Sequence, residues 1–281
     1  MTEETVETVE SPAAPGRERR RTFGEAAEQY EAARPGYPDR LVDDVLEFAG
    51  PGAGPVLEVG AGTGKATLPF AARFAVTGTS LTCVEPDARM AGVLARNCAD
   101  LPGVAIEVGD FENLRPSRRF GLLYCAQAWH WIDPGVRWER ARAALRPGGT
   151  VALFWNDWVA AGEDVRRALV AAHERHLADM PPHTILDARP RETVMGPGSW
   201  VASEMGSGGG CTDVTHRTYS SVHERSTSAV IDLLSSLSAY RLIPQAVREA
   251  LFAEVAEVVD AHGGMLRLET TTGLFLGRAP A

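Results

Sequence analysis

The sequence predicts a doubly wound α/β sheet, and three observations lead there. Short, nearly unbroken apolar runs at 55–59, 81–84, 104–108, 122–125 and 151–154 suit parallel strands covered on both faces. Helix-patterned segments at 65–74, 88–98 and 136–145 lie between them. A glycine cluster, Gly60-Ala61-Gly62-Thr63-Gly64, joins the first run to the first helix, where such a sheet turns sharply and admits a ligand to its backbone.

Taken in order, residues 1–20 hold almost no large apolar side chains and predict a flexible tail, its Arg17, Arg19, Arg20 and Arg21 solvated. Residues 21–50 read as helices forming an N-terminal lid, and 51–157 as the alternating core. Arg146-Pro147-Gly148-Gly149 reads as a turn that stops the last core helix. After Phe154 the rhythm breaks. Residues 160–179 pattern as a helix with Val165, Leu169, Ala172 and His176 near one face, and 180–210, rich in Pro, Gly, Met and Ser, as irregular chain. Together 158–210 form the expected substrate cap, with Met180, Met195, Trp200 and Met205 lining an adaptable apolar pocket. Residues 211–281 return to the core through a strand at 213–222, helices at 228–240 and 244–262, and a closing strand at 265–276. Thr270, Thr271 and Thr272 suit the pleated surface of that last strand.

Composition narrows the partners. The 281 residues are 44% hydrophobic and 23% charged, enough for a full core. A net charge of −9 argues against nucleic acid, whose binders present a basic face. No apolar run approaches the ~18 residues of a membrane span. The start, Met1-Thr2-Glu3-Glu4, lacks the basic-then-apolar order of a signal peptide. Cys83, Cys98, Cys125 and Cys211 are scattered, which fits neither a disulfide scaffold nor a zinc site. A cytoplasmic protein is the expectation.

The spacing of the glycines separates three ligand classes. A Walker loop needs a glycine five residues before Gly64 and a hydroxyl after Lys65, but Val59 and Ala66 stand there. A dinucleotide loop needs a third glycine where Lys65 or Thr67 stands. What remains is Glu58-Val59-Gly60-Ala61-Gly62-Thr63-Gly64. A carboxylate at that strand end would repel a pyrophosphate, yet suits the neighbourhood of a cationic ligand. The plain alternative is a tight turn without a ligand.

This E-x-G-x-G-x-G segment resembles the first motif of class I S-adenosylmethionine-dependent methyltransferases. The resemblance implies a seven-stranded Rossmann-like sheet with its last strand antiparallel, and S-adenosyl-L-methionine as cofactor. It implies that Glu85, ending the second strand, accepts the ribose hydroxyls, a logic shared with nicotinamide enzymes. It also implies that Asp110 takes the adenine amino group while Phe111 packs on the ring; otherwise Asp110 is a helix cap. Ala126-Gln127-Ala128-Trp129-His130-Trp131-Ile132-Asp133 is similar to a segment of the branch that includes trans-aconitate-type small-molecule methyltransferases. Tyr30-Glu31-Ala32-Ala33-Arg34-Pro35-Gly36-Tyr37-Pro38 is similar to that branch's opening segment. On that likeness Tyr30 and Arg34 close the site, and Arg34 meets the methionine carboxylate; the plain alternative is a helix end packing Tyr37 on the sheet. With Thr63, Pro86 and Gln127 they complete the candidate cofactor set around Glu58, Gly60, Gly62 and Gly64.

Chemistry is expected beyond the fourth strand. Trp129, His130 and Trp131 there, with Trp155 and Trp200, are the candidate substrate contacts. His130 is the candidate catalytic residue, either a general base or a positioning group; alignment and desolvation alone also serve methyl transfer. His173, His176 and His183 invite a metal reading, but no acid completes a ligand set, so surface histidines are expected. Methylation of a protein or RNA, a regulatory protein that binds the cofactor without turnover, and another reaction with the same cofactor stay open.

Overall fold

The structure, a computed structural model, describes residues 27–177, 185–186 and 196–281. The 1–20 tail with its four arginines, Met180, Met195 and His183 lie outside the described residues. At its centre are β1 (Val56–Val59), β2 (Leu81–Glu85), β3 (Val104–Val108), β4 (Phe120–Ala126), β5 (Leu145–Ala160), β6 (Thr212–Ser226) and β7 (Met265–Arg278). They form one sheet in the order β3-β2-β1-β4-β5-β7-β6. Neighbours are parallel from β3 through β5, and β7 runs antiparallel to both β5 and β6. The expected doubly wound sheet with an antiparallel last strand is what the chain forms.

Alternating side chains send each strand into two layers. Along β4, Leu122 and Tyr124 join one apolar cluster while Leu123 and Cys125 join the other. On β5, Ala152 and Phe154 oppose Val151, Leu153 and Trp155 in the same way. The first layer is covered by α2 (Asp39–Ala49) and α3 (Thr67–Thr77), where the Phe70 ring stacks on Tyr124 at 4.2 Å between centroids. The other is covered by α5 (Arg137–Ala144) and α7 (Trp200–Ser207). α4 (Ala88–Asn97) starts where Asp87 accepts the Arg89 N–H at 2.8 Å, and Gly78 ends α3 in the left-handed conformation at φ 68°. α1 (Ala27–Ala33) packs on α4 through Ala27, Met90 and Val93.

A third apolar cluster joins the far ends of β5 and β7 to α6 (Glu163–His176), α8 (Thr227–Ser235), α9 (Ser238–Arg241) and α10 (Gln245–Ala261). Several sequence expectations change here. The Arg146–Gly149 turn is a bulge inside β5, between the Phe120↔Leu145 and Leu122↔Thr150 pairings, because Leu145 already joins the sheet. β5 continues through Trp158 to Ala160, since β7 supplies a partner that far. The helix expected at 228–240 breaks into α8 and α9, and the irregular stretch before 210 contains α7. His173 is no surface histidine: it is buried, its Nδ1 on the Leu169 carbonyl at 2.6 Å and its Nε2 on the Tyr240 hydroxyl at 2.7 Å. His176 is half-buried against Glu254 at 2.7 Å. All four cysteines are buried and unpaired. No described helix is long and apolar enough to cross a membrane.

Candidate functional site

The strand order reverses direction between β1 and β4, so their carboxyl ends open a crevice where open α/β sheets bind ligands. A cavity of about 280 Å³ lies there, lined by residues from β1, β2 and β4, the turns after β3 and β4, α1, β5 and the loop before α9. Gly60 leaves β1 at φ 69°, and a β-carbon on it would sit 2.4 Å from the Ala128 methyl. Gly64 is pressed likewise on Leu94, at 2.8 Å. Gly62 differs: at φ 59° its added β-carbon would meet only the Met90 methyl at 3.7 Å, facing the cavity. Two glycines let the loop pack, and the third leaves room.

Glu85 closes β2 with both oxygens engaged. Oε2 accepts the Gly62 N–H at 2.8 Å and Oε1 the Asp87 N–H at 2.9 Å. Burial pushes its carboxyl up to about 7 although those two N–H groups pull the other way. Pro86, Met90, Asp110, Phe111 and Glu112 continue this acidic, apolar-backed wall. Gln127 holds a left-handed backbone, φ 56°, unusual for a residue with a side chain and typical of positions over-determined by a site. Its amide donates to the Asn156 carbonyl at 2.7 Å.

The opposite wall is tied down from the N-terminal segment. Arg34 donates through Nε to the Ser236 hydroxyl at 2.9 Å and through Nη2 to the Ser236 carbonyl at 3.1 Å. Its guanidinium lies between the Tyr30 and Trp158 rings, 5.1 and 5.4 Å from their centroids. Asn156 donates to the Gly36 carbonyl at 2.9 Å and accepts from Thr272 at 2.6 Å. Tyr37 packs edge-on against Phe154 at 4.8 Å. Arg34 thus lines the cavity, and Tyr37 packs on the sheet as the plain alternative had it.

His130 and Trp131 line the cavity beyond β4. The Trp155 indole donates to His130 Nδ1 at 3.3 Å. Burial, reinforced by the Arg137 charge, lowers the His130 ring to about 4, so it is neutral near pH 7.

Of the residues proposed from sequence, Tyr30, Arg34, Gly60, Gly62, Glu85, Pro86, Asp110, Phe111, Gln127, His130 and Trp131 line one cavity. Six do not. Glu58 lies beneath the loop, fully enclosed, accepting from Thr67 at 2.6 Å and Tyr124 at 2.9 Å. Its remaining oxygen has no hydrogen-bond partner among the described residues, and burial pushes the carboxyl up to about 7. Thr63 is buried and Gly64 faces Leu94. Trp129 is core, packed on Phe111 and Trp138, because the turn after β4 tucks it under the sheet edge. Trp155 and Trp200 pack on each other at 5.8 Å, outside the cavity. Sequence reasoning missed Asn156, Trp158 and Leu237–Ala239; the first two follow an apolar strand run without a break, but nothing local marks the last three.

A family model described as a methyltransferase domain matches residues 56–149, from the start of β1 into the bulge of β5. By that match, this stretch of the chain is similar to a methyltransferase domain. An uncharacterized methyltransferase of Mycobacterium tuberculosis is 37% identical over 136 residues, 48% of this chain and 52% of that protein. The chain therefore spans about half the length of the curated relatives it matches at that level. An uncharacterized methyltransferase of Schizosaccharomyces pombe is 25% identical over 247 residues, 85% of this chain and 87% of the other. Among solved structures, a candidate type II methyltransferase from Anaeromyxobacter dehalogenans aligns at TM-score 0.61 and 23% identity, over 88% of this chain and 99% of its own. A [4+2]-cyclase shares the fold at TM-score 0.52 and 17% identity, over 97% and 99%. The methyltransferase fold by itself thus does not name a reaction.

Proposed function

We propose that this methyltransferase domain binds S-adenosylmethionine across the ends of β1, β2 and β3 and transfers its methyl group to a small-molecule acceptor. One observation carries the reading: the Glu85 carboxylate, the open face of Gly62 and the Asp110–Phe111 pair share one cavity. The chemistry of these groups fits the cofactor. Glu85 offers acceptor capacity for ribose hydroxyls, Asp110 for the adenine amino group, and Phe111 with Pro86 and Met90 an apolar bed for the base. Arg34, at the other wall, suits a carboxylate. The cofactor, when bound, supplies a methyl group on a positively charged sulfur.

The chain's own part is alignment and exclusion of water. Gln127, pinned to Asn156, and His130, pinned to Trp155, fix the wall where donor and acceptor meet. Trp131, Trp158 and Leu237 give the remaining space an apolar lining. The sequence likeness at Ala126–Asp133 supports a small-molecule acceptor. Among the described residues, 27–50 close the site, 51–157 hold the cofactor, Trp158 and Leu237–Ala239 shape the acceptor side, and 211–281 complete the sheet.

Calorimetry tests the reading. Binding of S-adenosylmethionine and S-adenosylhomocysteine, with none of NAD or ATP, is the expected result; comparable affinity for NAD would sink it.

A further inference from the structure

We infer that Trp155, from behind the cavity wall, fixes His130 as its Nε2–H tautomer, so that the site meets its acceptor with a neutral hydrogen-bond donor and not with a base. The argument begins at the indole. Tryptophan Nε1 is a donor only, so the contact at 3.3 Å requires a bare lone pair on His130 Nδ1. A neutral imidazole carries one proton, which must then sit on Nε2. Nothing loosens the indole: Trp155 is buried, edge-on to Trp200 at 5.8 Å and to Phe275 at 6.2 Å. It comes from β5, one residue beyond the last pairing with β4, where its backbone pairs with Gly273 of β7.

The other end of the ring is free to work. His130 lines the cavity, and among the described residues Nε2 has no hydrogen-bond partner, yet it is not among the sealed-off polar atoms. Trp131 flanks the ring at 5.2 Å. The Arg137 guanidinium on α5 and burial both oppose a second proton on the ring. The carboxylates of the cavity, Glu85, Asp110 and Glu112, stand on the β2 and β3 side and supply no counter-charge that raises it. Near pH 7 His130 therefore holds one proton and offers it outward. Neither nitrogen has a lone pair facing the acceptor.

Resting on the methyl-transfer reading, this names the acceptor's chemistry: a group with a lone pair beside the reacting atom, such as a carbonyl, ether or anionic oxygen, that accepts from Nε2–H. The reacting atom forms its bond to the methyl carbon as the carbon–sulfur bond breaks, with that electron pair leaving on sulfur. If the reacting atom began with a proton, the proton goes to water, because His130 cannot take it. Trp155 acts only through His130 and is a positioning residue.

The test is spectroscopic and needs no acceptor. Long-range ¹⁵N–¹H correlation spectra of the full chain, labelled at histidine nitrogens, report each tautomer between pH 6 and 8, and His130→Gln identifies the His130 signals. The expected pattern is a protonated Nε2 and a bare Nδ1, unchanged by added S-adenosylhomocysteine. Trp155→Phe keeps an aromatic ring but removes the donor, and should move part of the population to Nδ1–H. A wild-type His130 protonated on Nδ1 overturns the inference, as does an unaltered tautomer in a folded Trp155→Phe variant. If that variant does not fold, the wild-type spectrum still decides. Failure of S-adenosylhomocysteine to bind, with the tautomer as expected, overturns the methyl-transfer reading alone.

Discussion

At Gly62 the side chain that is missing matters more than any neighbour. A valine there would meet only the Met90 methyl, but would fill the face turned to the cavity and force a branched residue to φ 59°. Gly62→Val should therefore abolish S-adenosylmethionine binding in calorimetry while the far-ultraviolet circular dichroism stays native. Gly60→Ala acts differently, colliding with Ala128, and should lower the melting temperature as well. Glu85→Ala should weaken cofactor binding by about 1–3 kcal/mol, the cost of hydroxyls left without an acceptor. Unchanged affinity would leave Glu85 as a brace for the Gly62 and Asp87 backbone only. Glu58 bears on stability. Its folded pKa of about 7 lies above the ordinary 4.5, so the folded state holds its proton more tightly than the unfolded chain. Its contribution is fully present below pH 4.5 and is lost as pH rises through 7. Thermal melts of wild type and Glu58→Gln across that window should converge at acid pH in slope and diverge above it, the mutant losing less. Subtracting the two curves removes the opposite contributions of His130 and His173, whose lowered pKa values weaken the fold as pH falls.

Between elements, one buried charge joins α5, α7 and the turn that carries His130. Arg137, entirely enclosed, forks onto the Glu204 carboxylate and donates to the Trp129 carbonyl at 3.2 Å, while Trp138 Nε1 reaches the same carboxylate at 3.0 Å. Removing the acid alone strands a cation in the core. Glu204→Ala should cost about 3–5 kcal/mol in urea unfolding, far more than an exposed ion pair such as Arg167 with Glu163. A loss below about 1 kcal/mol would mean that water or another carboxylate replaces Glu204. The ion pair also explains why α7 forms in a stretch whose Gly, Ser and Pro content argues for loop: packing Met205 and Val201 on the sheet outweighs weak helix propensity.

For the whole molecule, ligand binding couples regions far apart in sequence. Arg34, just after α1, grips Ser236 after α8, and Asn156 of β5 grips Gly36. A ligand in the cavity therefore touches the N-terminal helices, the central sheet and the C-terminal helices together. S-adenosylhomocysteine at 100 times its dissociation constant should stabilise the chain by about 2.7 kcal/mol, read as a rise in melting temperature that NAD does not reproduce. A shift with NAD of the same size would assign the cavity to dinucleotides.

Local chemistry made much of this legible in the sequence. The runs at 55–59 and 122–125 announced buried parallel strands because both faces of such strands are apolar, and the glycine spacing excluded phosphate loops because each loop class places its close approaches differently. Glu85 and Asp110 were legible through the resemblance to methyltransferases, and both line the cavity. Only the tertiary structure separated Glu58 from the cavity: its carboxylate turns to Thr67 and Tyr124, a choice set by neighbours far along the chain. The same holds for Trp129, drawn into the core by Phe111 and Trp138, and for His173, drawn in by Tyr240. Leu237, Ser238 and Ala239 reach the cavity because β5 and β7 extend past the parallel strands and carry the C-terminal helices back over it. Periodicity and spacing report what a residue does to its own element. Burial and hydrogen-bond partners depend on which distant segments the sheet order brings together, and that is decided by packing.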